Sequence, residues 1–92
     1  MNIAIITVIA VKNELFMKAE AFNDQLADMV RQHRKKSQLS QIELAQLAGV
    51  GKSVIYELEH GKATVRLDSV LKVLNALNIS VHLSSPMVGE QV

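Results

Sequence analysis

Two short amphipathic patterns, separated only by a Gly-Val-Gly segment, lie in residues 39–62 of this chain, LSQIELAQLAGVGKSVIYELEHGK. At the start of the first pattern, Ser40 is followed three residues later by Glu43, which is the spacing of a helix capping box. The apolar residues that follow recur at helical spacing: Leu44, Ala45, Leu47 and Ala48. The pattern therefore predicts a short helix with a well-defined start.

The second pattern begins after Gly49, a residue type that suits the left-handed position just past a helix end. It places Val54, Ile55 and Leu58 on one helical face, and Gly61 ends it. The opposite face carries polar and aromatic residues: Lys52, Ser53, Tyr56, Glu57 and His60. Two short helices joined by a tight glycine-containing turn form a helix-turn-helix motif, whose second helix can enter the DNA major groove.

A further helix is predicted before the motif. Asn23 is a candidate N-cap, and Asp24 follows in the first turn, where the helix dipole favours an anion. Leucine, methionine, valine and histidine then recur at helical spacing: Leu26, Met29, Val30 and His33. Cations near the end of the segment suit the C-terminal end of the dipole: Arg31, Arg34, Lys35 and Lys36.

After the motif, Asp68 begins a segment whose broad apolar face predicts another helix: Val70, Leu71, Val73, Leu74 and Leu77. Ile79, Val81 and Leu83 then alternate with polar residues, which predicts a half-buried strand. A single strand in a helical domain leaves backbone groups unpaired, and the same strand in a second copy is the simplest partner. We therefore expect one domain over residues 23–84, of all-α class, with a short C-terminal strand that forms a dimer.

Two terminal segments lie outside this predicted domain. Residues 85–92 contain proline and glycine and predict a flexible tail, and residues 1–22 form an extension of undefined structure. Within it, MNIAIITVIAV is apolar but far shorter than the roughly 20 residues that span a bilayer, and it lacks the basic start of a signal peptide. Three interpretations stay open: a strand buried in a dimer, an interaction segment, or sequence upstream of a start at Met17.

Composition excludes several classes of function. Ninety-two residues suffice for one small domain, and the absence of cysteine excludes a disulfide scaffold and most structural zinc sites. The three histidines lack ligand spacing, so we expect neither a metal nor a cofactor. No catalytic triad or paired carboxylate stands out, and Gln46 occupies the place of the first glycine in a phosphate-binding loop. We therefore expect that the chain is not an enzyme.

The net charge of +1 conceals a basic region around the motif. Residues 31–66 carry seven Lys and Arg against three Glu, a local charge of +4, so the rest of the chain carries −3. Such a region is what binding to phosphates requires, although a merely solvated basic surface has the same composition. Lys62 and Arg66, in the loop after the second motif helix, are placed to meet phosphates.

The second motif helix predicts which side chains approach DNA bases. Lys52 and Ser53 lie nearest its start and should reach base edges first, and Tyr56 follows one turn later. Lys can donate to guanine, Ser can donate or accept, and Tyr can contact a thymine methyl or a phosphate. Glu57 can accept from the cytosine amino group, but its charge repels nearby phosphates.

The pattern SQxELAxLAGVxxxxIxxLExGK resembles the XRE, or Cro/cI, class of helix-turn-helix repressors, and the resemblance extends from about residue 24 to residue 83. The continuation HGKATVRLDSVLKVLNALNISVHL resembles more specifically the HipB-type antitoxins, which add one more helix and a strand. The resemblance implies a compact lambda-repressor-like domain of four to five helices. It also implies that the residues at 52, 53, 56 and 57 set the operator sequence.

Further roles follow from the resemblance alone. It implies that Gln41 contacts a backbone phosphate, that Lys35 and Lys36 lie near DNA, and that Arg34 and Glu59 form an ion pair that braces the motif. The family often has Ser or Thr where this chain has Gly at position 51, so we expect a weaker helix cap there.

The function that this resemblance implies is a DNA-binding transcriptional repressor of the HipB type. Such an antitoxin would regulate its own operon, bind a palindromic operator as a homodimer, and bind a HipA-type kinase toxin. It would reside in the bacterial cytoplasm, at the nucleoid when bound to its operator. The alternative is a stand-alone regulator of the XRE class without a toxin partner.

Overall fold

The computed structural model describes residues 12–87 and 89–91. The described chain forms four helices followed by a two-stranded antiparallel hairpin: α1 (Lys12–Lys36), α2 (Gln41–Ala48), α3 (Lys52–Glu59), α4 (Leu67–Ala76), β1 (Leu83–Ser85) and β2 (Gly89–Gln91). The predicted helical class and helix-turn-helix architecture are confirmed, with α2 and α3 as the two helices of the motif. Within the described residues, no helix combines the length and apolarity that crossing a membrane requires.

Helix α1 is much longer than the sequence pattern predicted. It begins at Lys12, whereas we expected a start at Asn23, so it crosses the predicted boundary between the extension and the domain. Residues 12–22, KNELFMKAEAF, are rich in good helix formers and contain neither glycine nor proline, so nothing in them ends a helix. The apolar run in residues 1–11, with its three interpretations, lies outside the described residues.

All four helices end in the same backbone arrangement. Each is followed by a residue with a positive φ between 59° and 75°: Gln38, Gly49, Gly61 and Asn78. The next amide in each case bonds to the carbonyl five residues earlier, at 2.9 to 3.1 Å; these amides belong to Leu39, Val50, Lys62 and Ile79. This is the Schellman motif, which satisfies carbonyls at a helix end. Because it turns the chain within a few residues, the connections between helices stay short, and the main helix contacts are those of α3 with α1 and of α2 with α3 and α4.

The centre of the core receives one fully buried side chain from each helix: Val30, Leu44, Ile55 and Val73. Other buried apolar residues from the same helix faces surround them: Ala45, Leu58, Leu74 and Leu77. The predicted apolar faces were too wide, because Leu47 is 60% exposed and Leu71 is 45% exposed. When a short helix packs against only one or two neighbours, only a narrow stripe of its surface is buried. Apolar residues at the edges of that stripe remain exposed to solvent.

The strand begins later than predicted. It was expected at Ile79–Leu83, but β1 is Leu83–Ser85, and residues 79–82 belong to no strand. The reason lies in the end of α4, where Ile79 is the apolar residue of the Schellman motif and packs against the core. Val81 is 41% exposed and Leu83 is 62% exposed, so neither is buried in the described chain.

Part of the predicted tail at residues 85–92 forms regular structure, because β2 occupies Gly89–Gln91 and pairs with β1. Pro86 and Met87 form the turn between the strands, and the amide of Met87 donates to Ser85 Oγ at 3.0 Å. Proline and glycine there mark a hairpin turn and not the start of disorder. The strand thus has a partner in its own chain, which removes one reason for expecting a second copy.

Candidate nucleic-acid interface

Helix α3 is fixed by one buried face and presents the other to solvent. Ile55 and Leu58 are buried against the core, and the polar face carries Lys52, Ser53 and Tyr56, which are exposed. Glu57 is half-buried on the same helix. The four side chains predicted to read bases are therefore all accessible, and contact with bases stays a prediction.

The two motif helices begin differently. At α2, Ser40 Oγ accepts from the Glu43 amide at 3.0 Å, and Glu43 Oε1 accepts from the Ser40 amide at 2.8 Å, so the predicted capping box is present. At α3, the N-cap is Gly51, and no side chain caps the first turn. The weaker cap expected at Gly51 is thus present: the Gly51 carbonyl accepts from the Val54 amide at 3.0 Å, but no side chain accepts from the first amides of α3.

A buried ion pair joins α1 to the end of α3. Arg34 Nε donates to Glu59 Oε2 at 2.6 Å and Nη2 donates to Oε1 at 3.1 Å, so the pair implied by the family resemblance is present. The side chain of Glu59 is 2% exposed and that of Arg34 is 12% exposed. The hydrogen bond to Glu59 raises the pKa of Arg34 above its usual value; burial opposes this, and the attraction of the carboxylate adds to it.

The same arginine and its neighbour also bind backbone. Arg34 Nη1 donates to the carbonyl of Leu39 at 2.9 Å, beside the start of α2, and Arg31 Nη1 donates to the carbonyl of Glu59 at 3.1 Å. The end of α3 is therefore held at Glu59 by two arginines of α1: Arg34 binds its side chain and Arg31 binds its backbone carbonyl. Sequence reasoning missed the role of Arg31, because a contact to a carbonyl 28 residues away leaves no local pattern.

Gln41 differs from its expected environment. Its side-chain Nε2 donates to Glu59 Oε1 at 3.3 Å, so the amide is directed toward the buried pair. Gln41 is the first residue of α2, and this bond ties the start of α2 to the end of α3. One of the two N–H groups on Gln41 Nε2 is thus engaged, so a phosphate contact of this side chain would use the other one. The predicted phosphate contact of Gln41 stays a prediction.

Ion pairing within the chain neutralises much of the basic region. Of the seven cations between residues 31 and 66, four lie in ion pairs: Arg31–Asp28, Arg34–Glu59, Lys62–Glu57 and Arg66–Asp68. In that stretch of the described chain, Lys35, Lys36 and Lys52 have no anionic partner. These three lysines are therefore the cations most available to DNA.

The pair at the start of α4 is exposed. Arg66 Nη2 lies 2.9 Å from Asp68 Oδ2, with side-chain exposures of 80% and 54%. Partial loss of solvation raises the pKa of Asp68, but the attraction of Arg66 and a hydrogen bond from the Ser69 backbone outweigh it, so the pKa lies below its usual value. Exposed pairs are weak, so Arg66 can exchange its carboxylate for a phosphate.

Tyr56 stacks on the ring of His60, a residue to which the sequence pattern assigned no role. The rings of Tyr56 and His60 stack with centroids 3.9 Å apart and an angle of 24°. His60 Nδ1 lies 2.7 Å from the Tyr56 carbonyl, which can only accept, so this nitrogen carries the proton. The signal in the sequence is the i, i+4 spacing of two rings on one helix face.

Within the described residues, no three His, Cys, Asp or Glu side chains form a group that could hold a metal ion.

Comparison with known proteins identifies the family. Residues 30–83, from the second half of α1 to the start of β1, match the family HTH_3, described as helix-turn-helix. This chain belongs to the HTH_3 family. An uncharacterized HTH-type transcriptional regulator, y4mF, from Sinorhizobium fredii (strain NBRC 101917 / NGR234) is 45% identical over 58 residues, which cover 63% of this chain and 76% of that protein.

Solved structures share this HTH_3 fold. The chain matches an HTH_3 family transcriptional regulator from Vibrio cholerae with a TM-score of 0.60 and 29% identity, over 67% of this chain but only 35% of that one. It also matches a chain in the structure of the HipA-HipB-O2-O3 complex with a TM-score of 0.62 and 26% identity, over 70% of this chain and 90% of that one. The match to HipB bears out the family resemblance that the sequence pattern indicated.

Proposed function

We propose that this chain is a sequence-specific DNA-binding transcriptional repressor whose α3 enters the major groove. The observation that carries the proposal is the exposed face of α3, with Lys52, Ser53 and Tyr56 on a helix whose other face is buried. A recognition helix needs both properties, since it must present base-reading side chains from a fixed position. The two regulators matched in Sinorhizobium and Vibrio support this class of function.

Each polar side chain takes a role in this proposal. Lys52 and Ser53 read bases near the start of α3, and Tyr56 and Glu57 contact bases one turn later. Lysines, arginines and one glutamine around the motif bind phosphates and set its position on the duplex: Lys35, Lys36, Gln41, Lys62 and Arg66.

The experiment compares Lys52→Ala with Lys36→Ala. A duplex selected from a random pool by the wild-type protein serves as the operator, and a random duplex of equal length as the reference. Lys52→Ala should weaken operator binding by roughly 1–3 kcal/mol and relax the preference at one base pair per half-site. Lys36→Ala should weaken binding to both duplexes alike and lower the salt slope by about one. If Lys52→Ala leaves affinity and base preference unchanged, α3 does not read the sequence.

We further propose that the repressor is the antitoxin of a toxin–antitoxin pair, regulates its own operon and binds a HipA-type kinase. Two observations support this: the HipB-like continuation of residues 60–83, and the structural match to a chain of the HipA-HipB-O2-O3 complex. Co-expression with the adjacent gene tests the proposal. A kinase-fold product that co-purifies and whose toxicity is suppressed supports it, and a neighbour without such a product contradicts it.

The second candidate function is a stand-alone regulator without a toxin partner. It is favoured by y4mF from Sinorhizobium fredii, which is 45% identical and is described as a transcriptional regulator. The two functions differ in one result: a stand-alone regulator does not co-purify with the product of a neighbouring gene, whereas an antitoxin does.

The repressor is proposed to act as a homodimer in the cytoplasm, at the nucleoid when bound. A twofold axis places two recognition helices about 34 Å apart and requires a palindromic operator. The hairpin supports this proposal, because within the described residues each strand of the two-stranded sheet has one open edge, and Val81 and Leu83 expose apolar surface beside it. Of the predicted dimer strand, Val81 and Leu83 are therefore proposed as contacts between copies, whereas Ile79 packs against the core of its own chain.

A further inference from the structure

Lys62 occupies an unusual place at the end of α3. The other three described helix ends have an apolar residue after the left-handed position, and each packs against the core: Leu39, Val50 and Ile79. At α3 that residue is Lys62, whose amide donates to the Glu57 carbonyl at 3.0 Å and whose Nζ donates to Glu57 Oε2 at 3.2 Å. Both ends of Lys62 are therefore bound to the same residue.

This arrangement joins a candidate base-reading residue to a candidate phosphate-binding residue. The side chain of Glu57 is 37% exposed and that of Lys62 is 52% exposed, so the pair lies in solvent beside the polar face of α3. Exposed pairs of this kind are weak, and their members exchange partners easily. The ammonium has three donors, so Lys62 can contact a phosphate while it stays on Glu57, but that contact is weakened because the carboxylate already neutralises its charge.

The carboxylate of Glu57, unlike the ammonium of Lys62, needs a hydrogen-bond donor when it lies near DNA. A carboxylate at a DNA surface is repelled by phosphates, and the group in the major groove that it suits is the amino group of cytosine. While Lys62 neutralises it, Glu57 can approach DNA at little electrostatic cost. If Lys62 leaves for a phosphate without a donor to replace it, the carboxylate remains unpaired in a strongly negative potential.

We propose that Glu57 is a specificity-determining residue that withholds Lys62 from phosphate on non-cognate DNA. At the cognate site, the cytosine amino group competes with Lys62 for Glu57, which weakens the pair and strengthens the contact of Lys62 with a neighbouring phosphate. On other sequences the pair stays closed and that phosphate contact is weaker. The proposal rests on the proposed function, since it requires α3 in the major groove.

Salt dependence measures this coupling directly, because each phosphate contact adds about 0.9 to the salt slope on B-DNA. Operator and random duplexes are compared for the wild type, Glu57→Gln, Lys62→Met and the double variant. Lys62→Met should lower the slope by about 0.9 on the operator and by clearly less on random DNA. Glu57→Gln should raise the slope on random DNA, and adding Lys62→Met should remove that increase.

The specificity ratio gives a second readout. Glu57→Gln should reduce the ratio of operator to random affinity by roughly tenfold, since it loses a base contact and gains a non-specific one. Glu20→Gln on α1 changes the net charge equally and is the control for a general charge effect; it should leave the ratio unchanged.

Three results would overturn the proposal: an equal loss of slope on both duplexes in Lys62→Met, an unchanged slope on random DNA in Glu57→Gln, or the same changes in Glu20→Gln. Failure of the proposed function can be told apart from failure of this proposal. If α3 does not read DNA sequence, the wild-type protein already binds selected and random duplexes with equal affinity. Unfolding curves of all variants establish that each remains folded at the temperature of the binding measurements.

Discussion

Arg34 and Glu59 are 25 residues apart in the sequence, and both carboxylate oxygens of Glu59 accept hydrogen bonds from the one guanidinium. Gln41 donates to the same carboxylate, so three helices meet at one buried acid. Glu59 lies at the end of α3, and its position therefore sets where this proposed recognition helix ends relative to α1 and α2. The relationship predicts that this pair determines stability as well as orientation.

The pair can be tested by a double-mutant cycle. Arg34→Met leaves the buried Glu59 without its cation and should lower the free energy of unfolding by on the order of 3 kcal/mol. Arg34→Met combined with Glu59→Leu should cost less than the sum of the single changes, with a coupling of roughly 0.5–3 kcal/mol. Urea denaturation measures all three. Arg66→Met, which breaks an exposed pair, is the control and should have little effect. Additive losses would contradict a stabilising pair.

Gln38 should be a site where glycine stabilises the protein. It ends α1 with φ 60°, a left-handed conformation that costs energy for a residue with a side chain. Gln38→Gly should raise the free energy of unfolding by about 0.5–1 kcal/mol. Gly49→Ala is the matched opposite change: φ is 75° and no atom lies within 4 Å of the added methyl, so only backbone strain is introduced. It should lose about 1 kcal/mol. A loss of stability in Gln38→Gly would contradict the explanation.

The hairpin should carry the dimer contact. Leu83 is 62% exposed in the chain, so Leu83→Lys should leave the fold of the monomer intact. In a twofold dimer the same change places like charges near each other and should shift the protein to monomer in sedimentation velocity. Leu47→Lys, at a site 60% exposed on α2, is the control and should remain dimeric. An unchanged dimer in Leu83→Lys would mean that another surface joins the copies.

His60 should position Tyr56 for contact with DNA. Removal of the stacked ring in His60→Ala frees Tyr56 to adopt other rotamers, and stacking of this kind contributes about 0.5–1.5 kcal/mol. We expect weaker operator binding, with a loss of unfolding free energy no larger than the stacking energy, because both rings are exposed and little else is lost with the imidazole. His60→Phe retains a ring and should restore most of the affinity. Equal loss in both variants would show that the imidazole itself, and not the stack, is required.

Much of the helix-turn-helix was predictable because its signals are local. The capping box of Ser40 and Glu43 and the glycine after α2 act within four residues, so short-range backbone preferences decide them. The buried residue of each helix also followed from periodicity. The pairing of Arg34 with Glu59 came from family resemblance, because no local pattern joins residues that far apart.

The start of α1 and the hairpin show the limits of local signals. The candidate cap at Asn23 predicted that α1 begins there, but the helix-forming residues before Asn23 are part of the same helix. A cap residue favours the start of a helix, yet it is also tolerated inside one. Ile79 fits the alternation of a strand equally well, but α4 places it on the core. A residue with two compatible local roles takes the one that buries more apolar surface.

The sequence alone determined which residues form α2, the turn and α3, and which face of α3 is polar, since these depend on residues within one or two helical turns of each other. Only the tertiary structure decided the partners of the charged side chains. It directs Gln41 to Glu59 and Lys62 to Glu57, and leaves Lys35, Lys36 and Lys52 as the unpaired cations of the 31–66 region. The physical reason is reach: a long flexible side chain can meet any group that helix packing brings within a few ångströms, and the spacing of residues along the chain does not specify which group that is.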